Sequence, residues 1–120
     1  MVDKYPLKDR TTTFGKNVVI FCASLRQDPV NRPLISQLVR SGTSVGANYH
    51  EACGAASTKD FRNKIYIAKK ECMETQYWLD VISTNNKNEL EAINKLKKES
   101  IELGKILSKI IGTINTNFKN

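Results

Sequence analysis

Residues 57–83 read STKDFRNKIYIAKKECMETQYWLDVIS, and this stretch decides the fold class. Its apolar and small side chains recur at steps of four and three residues, which places them on one face of an α-helix. These positions are Phe61, Ile65, Ala68, Cys72, Thr75, Leu79 and Ile82. Ser57–Asp60 resembles a capping box with Asp in place of the usual Glu. The stretch therefore predicts an amphipathic helix that begins at residue 58.

Three other stretches show the same period and are separated by helix-breaking or polar segments. The breaks are the Asp28–Pro33 turn, Gly54 and the polar cluster Ser83–Lys87. No stretch alternates with the period of two that a strand requires. The predicted helices span about residues 7–27, 31–53, 58–83 and 87–115. Because the connections are short, we expect a single all-α domain over residues 1–120, folded as an antiparallel up-down-up-down four-helix bundle.

The composition is that of one folded domain. Hydrophobic residues make up 40% of the 120 residues, which is enough for one core. There is no apolar run of about 18 residues and the first residues lack the apolar segment of a signal peptide, so we expect a cytoplasmic protein without a membrane partner. Cys22, Cys53 and Cys72 lie in helical patterns without a C-x-x-C pair. We expect them in the core and not in disulfides or a zinc site.

The formal net charge of +7 is unevenly distributed. Residues 1–70 carry the whole excess of Lys and Arg, whereas acidic and basic residues balance over residues 71–120. A basic field of this kind favours polyanionic partners, chiefly RNA or DNA, although basic residues also serve solubility alone.

Patterns that support catalysis are missing. His50 is the only histidine, and no paired Glu-x-x-His motif for a di-iron centre occurs. Phosphate-binding loops, dinucleotide-binding glycine patterns and nucleophile elbows are also missing. We therefore expect a protein without catalytic activity, metal site or cofactor.

The second predicted helix carries a polar stripe about 100° from its apolar stripe. The stripe consists of Gln37, Ser41, Ser44, Asn48 and Glu51. Ser and Asn are poor helix formers at exposed positions, so we interpret the stripe as a half-buried polar seam and not as a solvated face. The seam is expected to face either Glu74 and Thr75 of the third helix or a second subunit.

The start of the third helix carries a basic patch. Lys59, Arg62 and Lys69 share one face at helical spacing, and Lys64 lies close by. Arg40 is expected at the edge of the seam, where it can pair with Glu51 or contact a phosphate. These cations are either ordinary solubilising charge or a phosphate-binding patch.

Aromatic residues accompany the basic patch. Tyr66 follows Arg62 by one helical turn, and Tyr77 and Trp78 lie further along the same helix. Such side chains can stack on unpaired bases, and they can equally anchor a subunit interface.

Several segments resemble a known family. They are QLVRSGTSVGAN at 37–48, Glu51, STKDF at 57–61, IAKKECMETQYWL at 67–79 and LKDRTTTF at 7–14. Together they resemble the bacterial four helix bundle protein family, whose early members are products of intervening sequences in large-subunit ribosomal RNA genes. The resemblance covers nearly the whole chain.

The resemblance implies a homopentameric, barrel-like ring similar to the accessory proteins of diversity-generating retroelements, which bind nucleic acid and a reverse transcriptase. The partners to expect are further copies of the chain, RNA or DNA, and a reverse transcriptase or a ribosomal component. The resemblance implies no catalytic role for the matched family positions, which are Arg40, Ser41, Ser44, Asn48, Glu51, Phe61 and Glu74. The chain departs from many members in its Tyr49-His50 pair and in lacking basic residues after Glu51.

The sequence thus predicts a non-catalytic, oligomeric bundle that binds RNA or DNA through a basic surface. The residues expected to contact nucleic acid are Arg40, Lys59, Arg62, Lys64 and Lys69. The residues expected in the seam or in an oligomer interface are Gln37, Ser41, Ser44, Asn48, Glu51, Glu74, Tyr77 and Trp78. The alternative is a structural or protein-interaction scaffold with no role in nucleic-acid binding.

Overall fold

A computed structural model describes residues 6–119 of the chain, with side-chain detail for residues 6–117. The elements are α1 (Leu7–Ser24), α2 (Asn31–Cys53), α3 (Thr58–Ser83), a 3-10 turn (Lys87–Glu89) and α4 (Leu90–Lys119). Within residues 6–119 all regular structure is helical, which confirms the predicted all-α class with four helices.

Three helix boundaries differ from the prediction by about one turn. α1 ends at Ser24 and not near residue 27, because Gln27 folds back and its Nε2 donates to the carbonyl oxygens of Cys22 and Leu25. The predicted start of α4 at residue 87 is a 3-10 turn, and the α-helix begins at Leu90. At its far end α4 continues to Lys119, beyond the predicted end near residue 115.

Side-chain caps fix the starts of α2 and α3. Ser57 Oγ accepts a hydrogen bond from the Asp60 amide at 3.0 Å, as the capping pattern predicts. Asp28 Oδ1 accepts from the amides of Val30 and Asn31 at 2.9 and 2.7 Å. The hydrogen bond from Asn31, followed by that from Val30, lowers the pKa of the Asp28 carboxyl. Each helix thereby gains a partner for otherwise unsatisfied amides in its first turn.

The core runs along the bundle axis. α2 packs against both α1 and α3, and α3 packs against α4, whereas α1 and α4 touch only sparsely. Cys22 and Cys72 are buried in this core, and desolvation raises their thiol pKa values to about 11 and about 12. Cys53 is half-buried and packs against the core. The expected placement of the cysteines is therefore confirmed for Cys22 and Cys72 and holds in part for Cys53.

Glycines allow α1 and α2 to approach closely. A Cβ atom on Gly42 would lie 2.9 Å from both γ-methyl carbons of Val18, and one on Gly46 would lie 3.2 Å from the backbone of Thr11. Only a glycine fits at such distances without a shift of the neighbouring helix. The two helices therefore pack through backbone and small side chains.

Asn31 ties the two connections at one end of the bundle together. Its side chain is almost fully buried, and its Nδ2 donates to the Arg26 carbonyl oxygen and to Asn86 Oδ1. Its Oδ1 accepts from the side chains of Asn85 and Asn86, both at 2.9 Å. The α1–α2 turn and the α3–α4 connection are thus held together by a fully hydrogen-bonded amide.

No helix within the described residues is long and apolar enough to span a bilayer. The part of the chain that the structure describes also contains no cluster of three or more His, Cys, Asp or Glu side chains placed to bind a metal ion.

A candidate nucleic-acid interface on the third helix

The inner edge between α2 and α3 is occupied by a three-residue ion cluster. Arg40 Nη1 lies 3.0 Å from Glu71 Oε2, and Arg40 Nη2 lies 3.2 Å from Glu74 Oε2. The Glu71 side chain is only 7% exposed, whereas those of Arg40 and Glu74 are 47% and 41% exposed. Arg40 is therefore held by two carboxylates of its own chain.

The two carboxylates of this cluster differ in their acid–base behaviour. Desolvation, and then a hydrogen bond shared with Glu74, raises the pKa of Glu71. The pKa of Glu74 is lowered by that shared hydrogen bond and by Arg40. The same pair of carboxylates raises the pKa of the Arg40 guanidinium, so the cation is fixed in its charged form. A proton that enters the cluster thus goes to Glu71 in preference to Glu74.

The predicted polar seam divides into two parts. Ser41 is buried, and its Oγ lies 3.0 Å from Thr75 Oγ1, so this part of the seam faces α3. Ser44 and Asn48 instead bond backwards to carbonyl oxygens of α2 itself, at Arg40 and Ser44 respectively. Ser44 and Asn48 are half-buried, and none of their described hydrogen bonds reaches α3.

The remaining predicted seam residues lie at the margins. Gln37 is exposed, and its Oε1 accepts a long 3.4 Å bond from Arg40 Nε. Glu51 pairs with Lys64 at 3.2 Å across the far end of the α2–α3 contact. Tyr77 is exposed on the outside of α3, whereas Trp78 is half-buried and packs against the core. Tyr77 is thus separate from the seam, whereas Trp78 lies within about 20° of Glu71 around the helix, on the side of α3 that faces α2.

Most of the acidic side chains of α3 lie on its α2 side, whereas Asp80 lies on the outer side and is paired with Lys97 of α4. With about 100° of rotation per residue, Asp60 and Glu74 lie within about 60° of Glu71, on the side that faces α2. The basic residues of the first half of the helix lie between about 100° and 180° from Glu71, on the side that faces solvent and α4. They are Lys59, Arg62, Lys69 and Lys70. Lys64 is the exception, since it shares the acidic side and pairs there with Glu51.

This arrangement divides the predicted phosphate-contacting set. Arg40 and Lys64 are engaged in ion pairs with carboxylates of the same chain. Lys59 and Lys69 have no carboxylate within 4.0 Å among the described residues. Lys59, Arg62 and Lys69 therefore share the solvent-facing side of α3, and Arg40 and Lys64 do not.

α4 packs along one side of α3 in an antiparallel register. Ser100 Oγ donates to the Cys72 carbonyl oxygen at 2.9 Å, and a Cβ on Gly104 would lie 3.8 Å from Cys72 Cβ, which sets the antiparallel register of α3 and α4. Lys105 follows Gly104 and lies level with Lys69 along the bundle, but it shares a face of α4 with Lys98, which lines the groove between α1 and α4. We call Lys59, Arg62, Lys69 and Lys70 the outer α3 surface.

Large apolar side chains are exposed along the same helix. Tyr66, Met73 and Tyr77 are 45%, 61% and 59% exposed. The ring of Tyr77 meets that of Trp78 edge to face, with 4.9 Å between the ring centroids. These exposed rings lie beside the cations of the outer α3 surface.

Comparison with known proteins places the fold in a family. A solved structure from Bacteroides thetaiotaomicron, described as a protein with unknown function from the S23 ribosomal protein family, superposes with a TM-score of 0.80 at 36% identity. The alignment covers 87% of this chain and 96% of that one. No curated protein matches the sequence significantly.

The family profile gives the most specific assignment. The profile described as 23S rRNA-intervening sequence protein matches residues 6–109, which include all of α1, α2 and α3 and most of α4. The match therefore includes the whole outer α3 surface. This chain belongs to the 23S rRNA-intervening sequence protein family.

Proposed function

We propose that the protein is a non-catalytic, self-associating nucleic-acid-binding protein whose outer α3 surface contacts phosphate groups. The separation of charge on α3 is the observation that carries this proposal. Glu71 and Glu74 on the α2 side are paired with Arg40, while Lys59 and Lys69 on the outer side have no carboxylate within 4.0 Å among the described residues. Lysines of this kind along one face can neutralise a phosphate backbone.

The chemistry of this surface favours binding without sequence specificity. Lysine amines are flexible point charges that neutralise phosphates, and Arg62 is the one guanidinium of the outer α3 surface able to make bidentate contacts. Phosphate contacts fix position and carry no sequence information. We therefore propose structured RNA or DNA as the ligand. The family suggests ribosomal RNA as one such ligand, and a ribosomal component or a reverse transcriptase as a protein partner.

The test compares two charge-reversed variants of equal net charge. Arg62→Glu with Lys69→Glu changes the outer α3 surface. Lys95→Glu with Lys98→Glu changes two lysines that line a groove between α1 and α4. Because two phosphate contacts are lost, we expect the first variant to bind about 10- to 100-fold more weakly at about 50 mM salt and to reduce the salt slope by about 2. Fluorescence anisotropy with a labelled RNA hairpin and a DNA duplex measures both quantities.

The control variant should stay within about threefold of the wild-type affinity, since its lysines lie away from the proposed surface. Circular dichroism confirms that both variants fold. Equal weakening of the two variants would show that net charge alone drives binding, and no binding of the wild type at low salt would refute the nucleic-acid function.

A different surface favours a second candidate function, a self-assembling scaffold. Val19 and Ile20 on α1 are 43% and 67% exposed and line a groove of about 640 Å³ between α1 and α2. Gly15, Gly46 and Ala47 also line it, so another helix can approach closely. We propose that a further copy of the chain covers this groove, in the homopentameric ring that the family resemblance implies. An oligomer that binds no nucleic acid would favour the scaffold over the first candidate.

A further inference from the structure

Two tyrosines stand in one exposed stripe on the outer side of α3. Tyr66, Met73 and Tyr77 are separated by seven and four residues, which places them within about 40° of each other around the helix. All three are close to half exposed or more. Tyr77 keeps 59% exposure although its ring also contacts Trp78. The stripe therefore offers two aromatic faces to an occupant from outside.

The charges beside the stripe indicate an anionic occupant. Lys59 lies about 20° and Lys70 about 40° from the mean direction of the stripe, and Arg62 and Lys69 flank it on the side of α4. Asp60 and Glu71 lie about 120° to 140° from the stripe. Glu74 lies about 80° away and is paired with Arg40, and Asp80 lies about 40° away and is paired with Lys97 of α4. An apolar protein surface would have to desolvate these cations, whereas a phosphate backbone neutralises them.

The spacing of the tyrosines suggests how a strand would lie. Eleven residues separate Tyr66 from Tyr77, about 16 Å along the helix axis, so no single base can touch both rings. Lys70 is placed between them, where it can reach a phosphate of the connecting nucleotides. The arrangement resembles the alternation of stacking faces and cations by which proteins bind single strands.

We propose that the outer side of α3 binds unpaired nucleotides, with Tyr66 and Tyr77 each stacking on a base of one strand that runs along the helix. This inference rests on the proposed nucleic-acid function and specifies its ligand. A duplex hides the faces of its bases within the stack and can use only the cations. A single strand can use both the cations and the rings.

The experiment compares oligouridine of about 20 nucleotides with a blunt RNA duplex of the same length, using the intact 120-residue chain in anisotropy titrations. Tyr66→Leu with Tyr77→Leu keeps apolar side chains and removes the aromatic faces. We expect its affinity for oligouridine to fall at least about tenfold and its affinity for the duplex to change by less than about twofold. Tyr66→Phe with Tyr77→Phe should restore oligouridine binding, because phenylalanine keeps the stacking face.

Val30→Ala is the control, since Val30 is 56% exposed just before the start of α2 and lies outside the stripe. It should leave both affinities unchanged. The inference is overturned if the leucine variant binds oligouridine as the wild type does, if it loses both ligands equally, or if native mass spectrometry shows that it changes the oligomer, which would make the stripe a subunit contact. If the wild type binds neither ligand at low salt, the proposed function itself fails.

Discussion

Arg40 holds two carboxylates whose ionisation affects stability in opposite directions. Glu71 is buried, and its raised pKa means that the folded state binds a proton more readily than the unfolded chain. Glu74 is partly exposed, and its lowered pKa means that the folded state favours its charged form. The sequence pattern marked Arg40 and Glu74, but it missed Glu71, because its burial arises only when α2 packs across α3.

The first prediction concerns Glu71→Gln, which mimics the protonated carboxyl. Because the wild type incurs a cost for a buried charge above the raised pKa, the variant should be more stable than the wild type near pH 8. Below the ordinary value of 4.5 the wild-type carboxyl is protonated in both states, so the difference should vanish there. Urea unfolding followed by circular dichroism at several pH values measures this.

Glu74→Gln is the internal control and should have the opposite sign. It should lose stability near pH 8 and match the wild type once the pH falls through the lowered pKa of Glu74. The effect should be small, since the side chain is 41% exposed and water screens its charge. The stability difference between Glu71→Gln and the wild type is expected to favour the variant more at pH 8 than at pH 4. The opposite trend would contradict the raised pKa of Glu71.

The hydrophobic periodicity of the sequence was sufficient to predict the four helices but not all of their ends. The stripe from Phe61 to Ile82 lies in α3, and Ser57 caps the helix as predicted. The end of α1 depends on Gln27 turning back to cap carbonyl oxygens, a choice that the local pattern does not encode. Capping by a side chain beyond the helix is decided by the turn that follows, so periodicity alone placed this end too late.

The next prediction concerns Gly42→Ala in the α1–α2 contact. The new methyl group would lie 2.9 Å from both γ-carbons of Val18, which is fully buried and β-branched and so cannot rotate away. The strain should outweigh the helix propensity that alanine adds, giving a net loss of about 1–2 kcal/mol in the free energy of unfolding. Urea denaturation measures the change.

Gly112→Ala provides the matched comparison, because an added Cβ meets no atom within 4 Å and the residue lies within α4. This variant should gain about 0.5–1 kcal/mol from helix propensity alone. If both alanine variants were stabilised alike, the close approach of α1 and α2 would not depend on Gly42.

The elongated bundle measures 52 × 20 × 20 Å and presents two faces of different chemistry. The outer α3 surface is cationic, whereas the groove between α1 and α2 is lined mainly by apolar and small side chains. Sequence patterning indicated the basic residues of α3, yet it gave no sign of the groove, because Val19 and Ile20 fall outside the periodic core stripe. Their exposure becomes visible only once the core-facing side of α1 is fixed by packing.

The last prediction assigns the apolar groove to self-association. Ile20→Glu should convert an oligomer into the 13.5 kDa monomer, because a carboxylate buried against a second copy costs several kcal/mol and weakens association by more than about a hundredfold. The monomer should stay folded, since Ile20 is 67% exposed within one chain. Native mass spectrometry after nuclease treatment measures the subunit number, and Met73→Glu, at a similarly exposed site on α3, is the control that should leave it unchanged. If Met73→Glu separates the subunits and Ile20→Glu does not, the subunits meet through α3 and the single-strand site proposed there is also wrong.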